Sequence, residues 1–187
     1  PTAADIKYNL GVAYFEKKDF AQAEKKWKEA TTLNPEMEEV HLRLAEWYRK
    51  EHKYDLAIIR YRLALTAANR AETWLTLGTL YLDMHDPYKG QNAFQKALEV
   101  KPDYVDAMLY LGQFYLDQKR YDEASEQFRT VTETDPHHEM GFFRLGVTYL
   151  KQAEETGADG ESELWKKAAE ALEKAKARIP RTEPVQA

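Results

Sequence analysis

The chain contains no cysteine in its 187 residues. That excludes disulfide staples, thiolate nucleophiles and cysteine-ligated metals, and leaves the redox compartment open. No apolar run approaches the roughly 18 residues of a membrane-spanning helix, and a mean hydropathy of -0.73 argues against membrane insertion. Glycine is scarce, with eight residues, and none builds a phosphate-cradling loop. A basic stripe is missing as well. Formal charge by segment is 0 for 1–37, +2 for 38–70, -2 for 71–104, -4 for 105–138 and -1 for 139–187. Without clustered cations to neutralise phosphates, nucleic-acid binding is disfavoured, and a partner with some positive charge suits the second half better. Pro1 stands where an initiator methionine would, which implies trimming or loss of a longer leader; with no secretory pattern to read, the expected compartment is the cytoplasm.

What is present is repetition. Leu10-Gly11, Leu44-Ala45, Leu77-Gly78, Leu111-Gly112 and Leu145-Gly146 recur at steps of 34, 33, 34 and 34 residues. Four residues after each Leu stands a tyrosine: Tyr14, Tyr48, Tyr81, Tyr115 and Tyr149. Spacing of i, i+4 places both on one face of a helix. Downstream in the first four units come a small residue, an aromatic four later and a mostly small residue three after that: Ala23-Trp27-Ala30, Ala57-Tyr61-Ala64, Gly90-Phe94-Ala97 and Ala124-Phe128-Val131. These mark a second helix. Pro35, Pro102, Pro136 and Pro180 punctuate the ends, where a ring without an N–H cannot extend a helix. Each unit therefore reads as a helical hairpin whose small residues admit close crossing while the large ones fill the gaps. One hairpin cannot bury its own apolar face, so neighbours must stack.

The pattern resembles the tetratricopeptide repeat (TPR), whose signature is met almost letter for letter by Trp74, Leu77, Gly78, Tyr81, Phe94, Ala97 and Pro102. The resemblance implies an all-α solenoid of ten helices in five antiparallel pairs, forming a right-handed superhelix. Repeats are expected at 4–37, 38–70, 71–104, 105–138 and 139–180, in a single array over 1–180 with a disordered tail at 181–187. An insertion of about ten residues near 152–164, containing Gly157 and Gly160, should lengthen the fifth hairpin's helices or join them by a mobile loop. Lys18, His52, His85 and Lys119 hold the turn position usual for glycine. Each costs about 1 kcal/mol if the backbone is left-handed there; the alternative is a differently shaped turn. Pro87 replaces the aromatic expected at the start of a second helix, so Tyr88 should substitute for it and the third hairpin should shift locally.

Nothing in the sequence points to catalysis, a cofactor or a metal. His41, His52, His85, His137 and His138 show no ligand spacing and read as surface residues. Trp27, Trp47, Trp74 and Trp165 read as core. The resemblance implies a concave face lined by the first helix of each hairpin. Its candidate partner-binding residues are Tyr8, Asn9, Val12 and Phe15, then Leu42, Arg43, Glu46 and Arg49, then Leu75, Thr76, Thr79 and Leu82. The fourth hairpin adds Leu109, Tyr110, Gln113 and Leu116, and the fifth Phe143, Arg144 and Val147. Part of this set could instead complete packing between repeats. Family members that grip a C-terminal carboxylate of chaperones use paired cations. Here Tyr8, Val12, Arg43, Glu72 and Thr76 occupy those places, so that clamp cannot form.

On the convex side, the outward positions of the second hairpin carry Leu56, Ile59 and Leu63, where the others hold polar or charged residues such as Glu123, Glu126 and Thr130. An exposed apolar stripe marks an interface. The expected function is a non-enzymatic scaffold or adaptor that binds a peptide or helix of a partner protein in the concave groove. The alternative is a structural protein docking on a larger assembly or cytoskeletal filament, or on itself as a homo-oligomer, through its convex surface. Neither nucleic acid nor membrane insertion is expected.

Overall fold

Alternating apolar and polar faces at helical spacing produce ten α-helices and no strand in the computed structural model, which describes residues 1–178. The helices are α1 (Ala3–Glu16), α2 (Phe20–Leu33), α3 (Glu38–Lys50), α4 (Tyr54–Ala67), α5 (Ala71–Asp83), α6 (Pro87–Val100), α7 (Val105–Asp117), α8 (Tyr121–Thr134), α9 (Glu139–Thr156) and α10 (Glu163–Lys176). Pro180 and the tail expected at 181–187 lie outside the described residues. Thr2 opens α1 with a capping box: its hydroxyl accepts from the Asp5 amide at 3.2 Å, and the Asp5 carboxylate accepts from the Thr2 amide at 2.7 Å.

The four turns without glycine keep the left-handed geometry. Lys18 has φ of 61°, and His52, His85 and Lys119 each have φ of 57°. The reason lies in the hydrogen bonds that this geometry closes. The amide after each left-handed residue donates to the carbonyl of the repeat tyrosine: Asp19 to Tyr14 at 3.0 Å, Lys53 to Tyr48 at 2.8 Å, Asp86 to Tyr81 at 2.9 Å and Arg120 to Tyr115 at 2.8 Å. Helix-terminal carbonyls that would otherwise lack donors are thereby satisfied, outweighing the strain of a side chain at positive φ. The fifth hairpin uses Gly157 at φ 62°, with Ala158 donating to Ala153 at 2.9 Å. Its insertion becomes a longer first helix, 18 residues against 13 in α3, α5 and α7, followed by the connection at 157–162.

Pro87 does not shift the third hairpin. It is the first residue of α6, which has 14 residues like α2, α4 and α8, and a proline at the first helical position sacrifices no hydrogen bond. Tyr88 does not take the missing aromatic's place, because it is exposed.

The helices pack as two compact units, Pro1–Val100 and the chain from Lys101 onward. In the first, hairpins α1–α2, α3–α4 and α5–α6 are joined where α2 meets α3 and α4 meets α5; in the second, α7–α8 and α9–α10 join through α8 and α9. Trp27, Tyr61, Phe94 and Phe128, the repeat aromatics, are fully buried; for Phe94 and Phe128 that is worth roughly 1.5–3 kcal/mol of transfer free energy each. Glycine permits the close seating of Trp27, Phe94 and Phe128. A Cβ built on Gly112 would stand 2.6 Å from Cε1 of Phe128.

Three expectations about the core need correction. Trp27 and Trp47 are buried, but Trp74 and Trp165 are only half-buried. Each keeps its indole N–H bonded at the surface, to Asn69 Oδ1 at 2.7 Å and to the Ala158 carbonyl at 3.1 Å. His41 is not a surface residue. Its ring is buried, with Nε2 2.7 Å from the Pro35 carbonyl and Nδ1 3.5 Å from Arg60 Nη1. Burial pushes its pKa down, a shift partly opposed by the Pro35 carbonyl and reinforced by Arg60.

Candidate protein-interaction site

In the first unit the surface built by the first helices, α1, α3 and α5, is largely committed to holding the unit together. Tyr8, Val12, Phe15 and Leu42 are half-buried against the core. Phe15 in particular belongs to an aromatic cluster, its ring centroid 5.3 Å from Phe20, 5.5 Å from Trp27 and 6.0 Å from Trp47. Asn9 is exposed and donates to the Asp5 carbonyl at 2.9 Å. Arg43 lies beside the Tyr8 hydroxyl, which with Glu46 and Glu16 raises its pKa further above the ordinary value; its Nη1 stands 3.6 Å from Glu46.

Arg49 ties α3 to α5. Its Nη2 and Nε lie 2.6 and 2.8 Å from Asp83 Oδ2, and Nη1 donates to Thr79 Oγ1 at 3.0 Å. Leu75, Thr76 and Leu82 are half-buried. Arg49, Glu46, Thr76 and Asp83 line a hollow of about 700 Å³ together with the buried Tyr61. Burial, then the charge of Glu46, pushes the Tyr61 phenol up to about 12, so it stays a neutral hydroxyl.

In the second unit the equivalent surface of α7 and α9 is more open. Tyr110 is 39% exposed and Phe143 is 49% exposed. Arg144 Nη1 donates to Gln113 Oε1, and Gln113 Nε2 to Asp117 Oδ1 at 2.6 Å, which links the two helices. Leu109 and Val147 are half-buried beneath. Leu116 is not part of the accessible face: it is buried in the unit's core with Ala124 and Phe128. Met140, exposed at 43%, was not singled out by the repeat pattern. The signal was its spacing, three residues before Phe143 on the same helix face.

On the opposite, second-helix surface of the first unit, Leu56, Ile59 and Leu63 are 45%, 53% and 41% exposed, while Ala57, Tyr61 and Ala64 on the inner side of α4 are buried. The helix has not rotated to cover the stripe. Beside it, a hollow of about 730 Å³ between α4 and α6 is floored by Leu65, Leu77 and Ala93 and rimmed by Arg62, Tyr88 and Lys89. Among the described residues no His/Asp/Glu group is arranged to hold a metal, and no helix is long and apolar enough to cross a membrane.

Models of the tetratricopeptide repeat match residues 4–37 and 75–139, together more than half of the chain. Solved structures resemble it along almost its whole length. A crystal structure of MamA is 22% identical, covering 90% of this chain and 94% of its own, with a TM-score of 0.72. YrrB, described as a TPR protein with an unusual peptide-binding site, is 24% identical over 94% of this chain and 86% of its own, at 0.70. PilF of Pseudomonas aeruginosa is 18% identical over 96% and 78%, at 0.67. At such identities the likeness speaks for the fold alone. No curated protein matches the chain.

Proposed function

The chain belongs to the tetratricopeptide repeat family, and from that premise we propose that it is a non-enzymatic scaffold whose first-helix surface binds a peptide or helical segment of a partner protein. The observation that carries this reading is the pair Tyr110 and Phe143, two large aromatics left substantially exposed on neighbouring first helices. An aromatic so placed gains more on desolvation than it could by staying in water. Asp106, Asp117 and Glu139 on the same two helices favour a ligand that combines apolar and cationic side chains. Burying about 600 Å² of apolar surface would contribute roughly 15 kcal/mol, offset by association costs of about 4–15 kcal/mol, a balance compatible with micromolar affinity. In the first unit, Tyr8, Val12, Leu42, Arg43, Leu75 and Leu82 offer a second, more buried candidate surface of that unit's own, with Arg49 and Thr79 shaping it.

The test is a fluorescence-anisotropy screen of basic, aromatic-containing peptides. Tyr110→Ala and Phe143→Ala should each weaken the best binder by about tenfold or more. Unchanged affinity in both variants would remove this surface from the reading. A second reading, assembly through the second-helix surface, is favoured by one observation: the exposed Leu56, Ile59 and Leu63 stripe has no counterpart on the other hairpins.

A further inference from the structure

We propose that the α4 stripe is a two-fold contact with a second copy of this chain, in which the two α4 helices pair antiparallel about Ile59. The proposal rests on reading the second-helix surface as an assembly surface, and it adds the occupant, the symmetry and the register.

The argument starts from the charges that flank the stripe. Asp55 and Arg62 are both exposed, and neither makes an ion pair among the described residues. Arg62 donates from Nη2 to the Tyr81 hydroxyl, at 3.4 Å, which engages one of its five donors. The two residues are seven apart, two helical turns, so they lie on the same flank of the stripe. The midpoint between them falls beside Ile59, the middle residue of the stripe. An antiparallel pair about that point places residue i of one helix opposite roughly residue 117 - i of the other, and brings like flanks together. Asp55 then meets Arg62 of the second copy, and Arg62 meets Asp55 of the second copy. Leu56, Ile59 and Leu63 interleave with their own equivalents between these two ion pairs. This is the self-complementarity that an isologous interface requires.

The remaining charges do not oppose the pairing. On the other flank Arg60 turns back toward His41. On the neighbouring helix, Lys89 is neutralised by Asp86 at 2.6 Å and Lys96 by Glu99 at 2.7 Å. Helix α8 supplies the contrast. It carries the same charge pair, Asp122 and Arg129, but Asp122 accepts from Gln152 at 2.9 Å, and Glu123 and Glu126 stand where α4 has Leu56 and Ile59. Glu123 is itself paired with Arg120 at 2.6 Å, and α8 has no apolar stripe for a second copy to interleave with. A contact limited to one 14-residue helix, about 21 Å long, falls short of the roughly 1,200 Å² of a stable specific interface. The dimer is therefore weak and concentration-dependent.

Sedimentation of the full chain from about 10 μM to 1 mM should show mass rising from 21.8 kDa toward twice that value. Ile59→Glu should hold it at the monomer with an unchanged helical spectrum. Asp55→Arg and Arg62→Asp should each weaken the dimer by about tenfold, and the double variant should recover most of the loss, because the exchanged charges still meet. Since the chain has no other cysteine, mild oxidation of Ile59→Cys should give a covalent dimer, whereas Lys25→Cys, the equivalent position on α2, should not. A monomer throughout would overturn the second copy as occupant. A dimer that survives Ile59→Glu would overturn the stripe, and with it the assembly reading. Loss with Ile59→Glu but no recovery in the double charge variant would overturn the antiparallel register while leaving the assembly surface standing.

Discussion

Hairpins two and four share one internal plan and differ in what they show to solvent. In both, an aromatic of the second helix, Tyr61 or Phe128, is fully buried. In both, an arginine at the same repeat position reaches the tyrosine of the next hairpin: Arg62 to Tyr81 at 3.4 Å and Arg129 to Tyr149 at 3.3 Å. Yet α4 presents Leu56, Ile59 and Leu63 outward where α8 presents Glu123, Glu126 and Thr130. The difference extends to the units: residues 1–100 hold 15 basic and 15 acidic side chains, residues 101–187 hold 12 and 17. The lesson is a division of labour. Signature positions specify the backbone, and the positions between them are free to specify a partner.

The sharpest way to break the shared plan is at the crossing of the paired helices. Gly112→Leu should destabilise the second unit by roughly 1–3 kcal/mol or more, because its side chain must displace the buried Phe128 ring. Ala45, the same slot in hairpin two, already carries a Cβ, so Gly112→Ala tests whether the two crossings are equally tight. Thermal unfolding reads both, and an unchanged midpoint for Gly112→Leu would refute the close crossing. A smaller effect distinguishes the turns. Lys18→Gly and His85→Gly should each stabilise by about 0.5–1 kcal/mol by relieving a left-handed side chain. Lys119→Gly should gain less, since it also deletes the 2.8 Å ion pair with Glu155. Equal gains at all three would mean that the pair contributes nothing.

The subtlest difference is one of pH and belongs to hairpin two. His41's folded pKa is lowered by burial, so the unfolded chain takes up its proton first as pH falls. Its contribution to stability is complete above the unfolded value near 6.5 and declines below it. Denaturation midpoints measured from pH 7.5 to 5 should fall more steeply for the native protein than for His41→Gln; parallel slopes would show that the ring does not titrate as its burial implies.

The fold was legible because its determinants are local and repeated. Leu-Gly pairs, tyrosines four residues on and small-aromatic-small triplets each act within one hairpin, and all five hairpins formed where they lie. The left-handed turns were legible as positions but not as outcomes, since the decisive term is a hydrogen bond to the repeat tyrosine's carbonyl. What periodicity missed depends on contacts from other helices and turns. His41 looks like a surface residue until Pro35 and Arg60 enclose it. Phe15 holds a groove position, yet Phe20, Trp27 and Trp47 draw it into a cluster. Leu116 sits one residue beyond the repeat tyrosine, and only the packing of α8 and α9 makes it core.

The lengthened α9 shows how such a chain absorbs an error of counting. Ten extra residues separate Tyr149 from Ala168, yet the crossing of α9 and α10 is intact: a Cβ on Gly146 would meet Leu172 Cγ at 2.7 Å and the Ala168 carbonyl at 3.2 Å. The surplus is confined to the distal end of α9, its turn and the first residues of α10, because alignment is set afresh at each crossing rather than inherited along the chain. Length is therefore a local variable in this architecture, and the connection at 157–162 is a place where new sequence can be added without any other hairpin having to know of it.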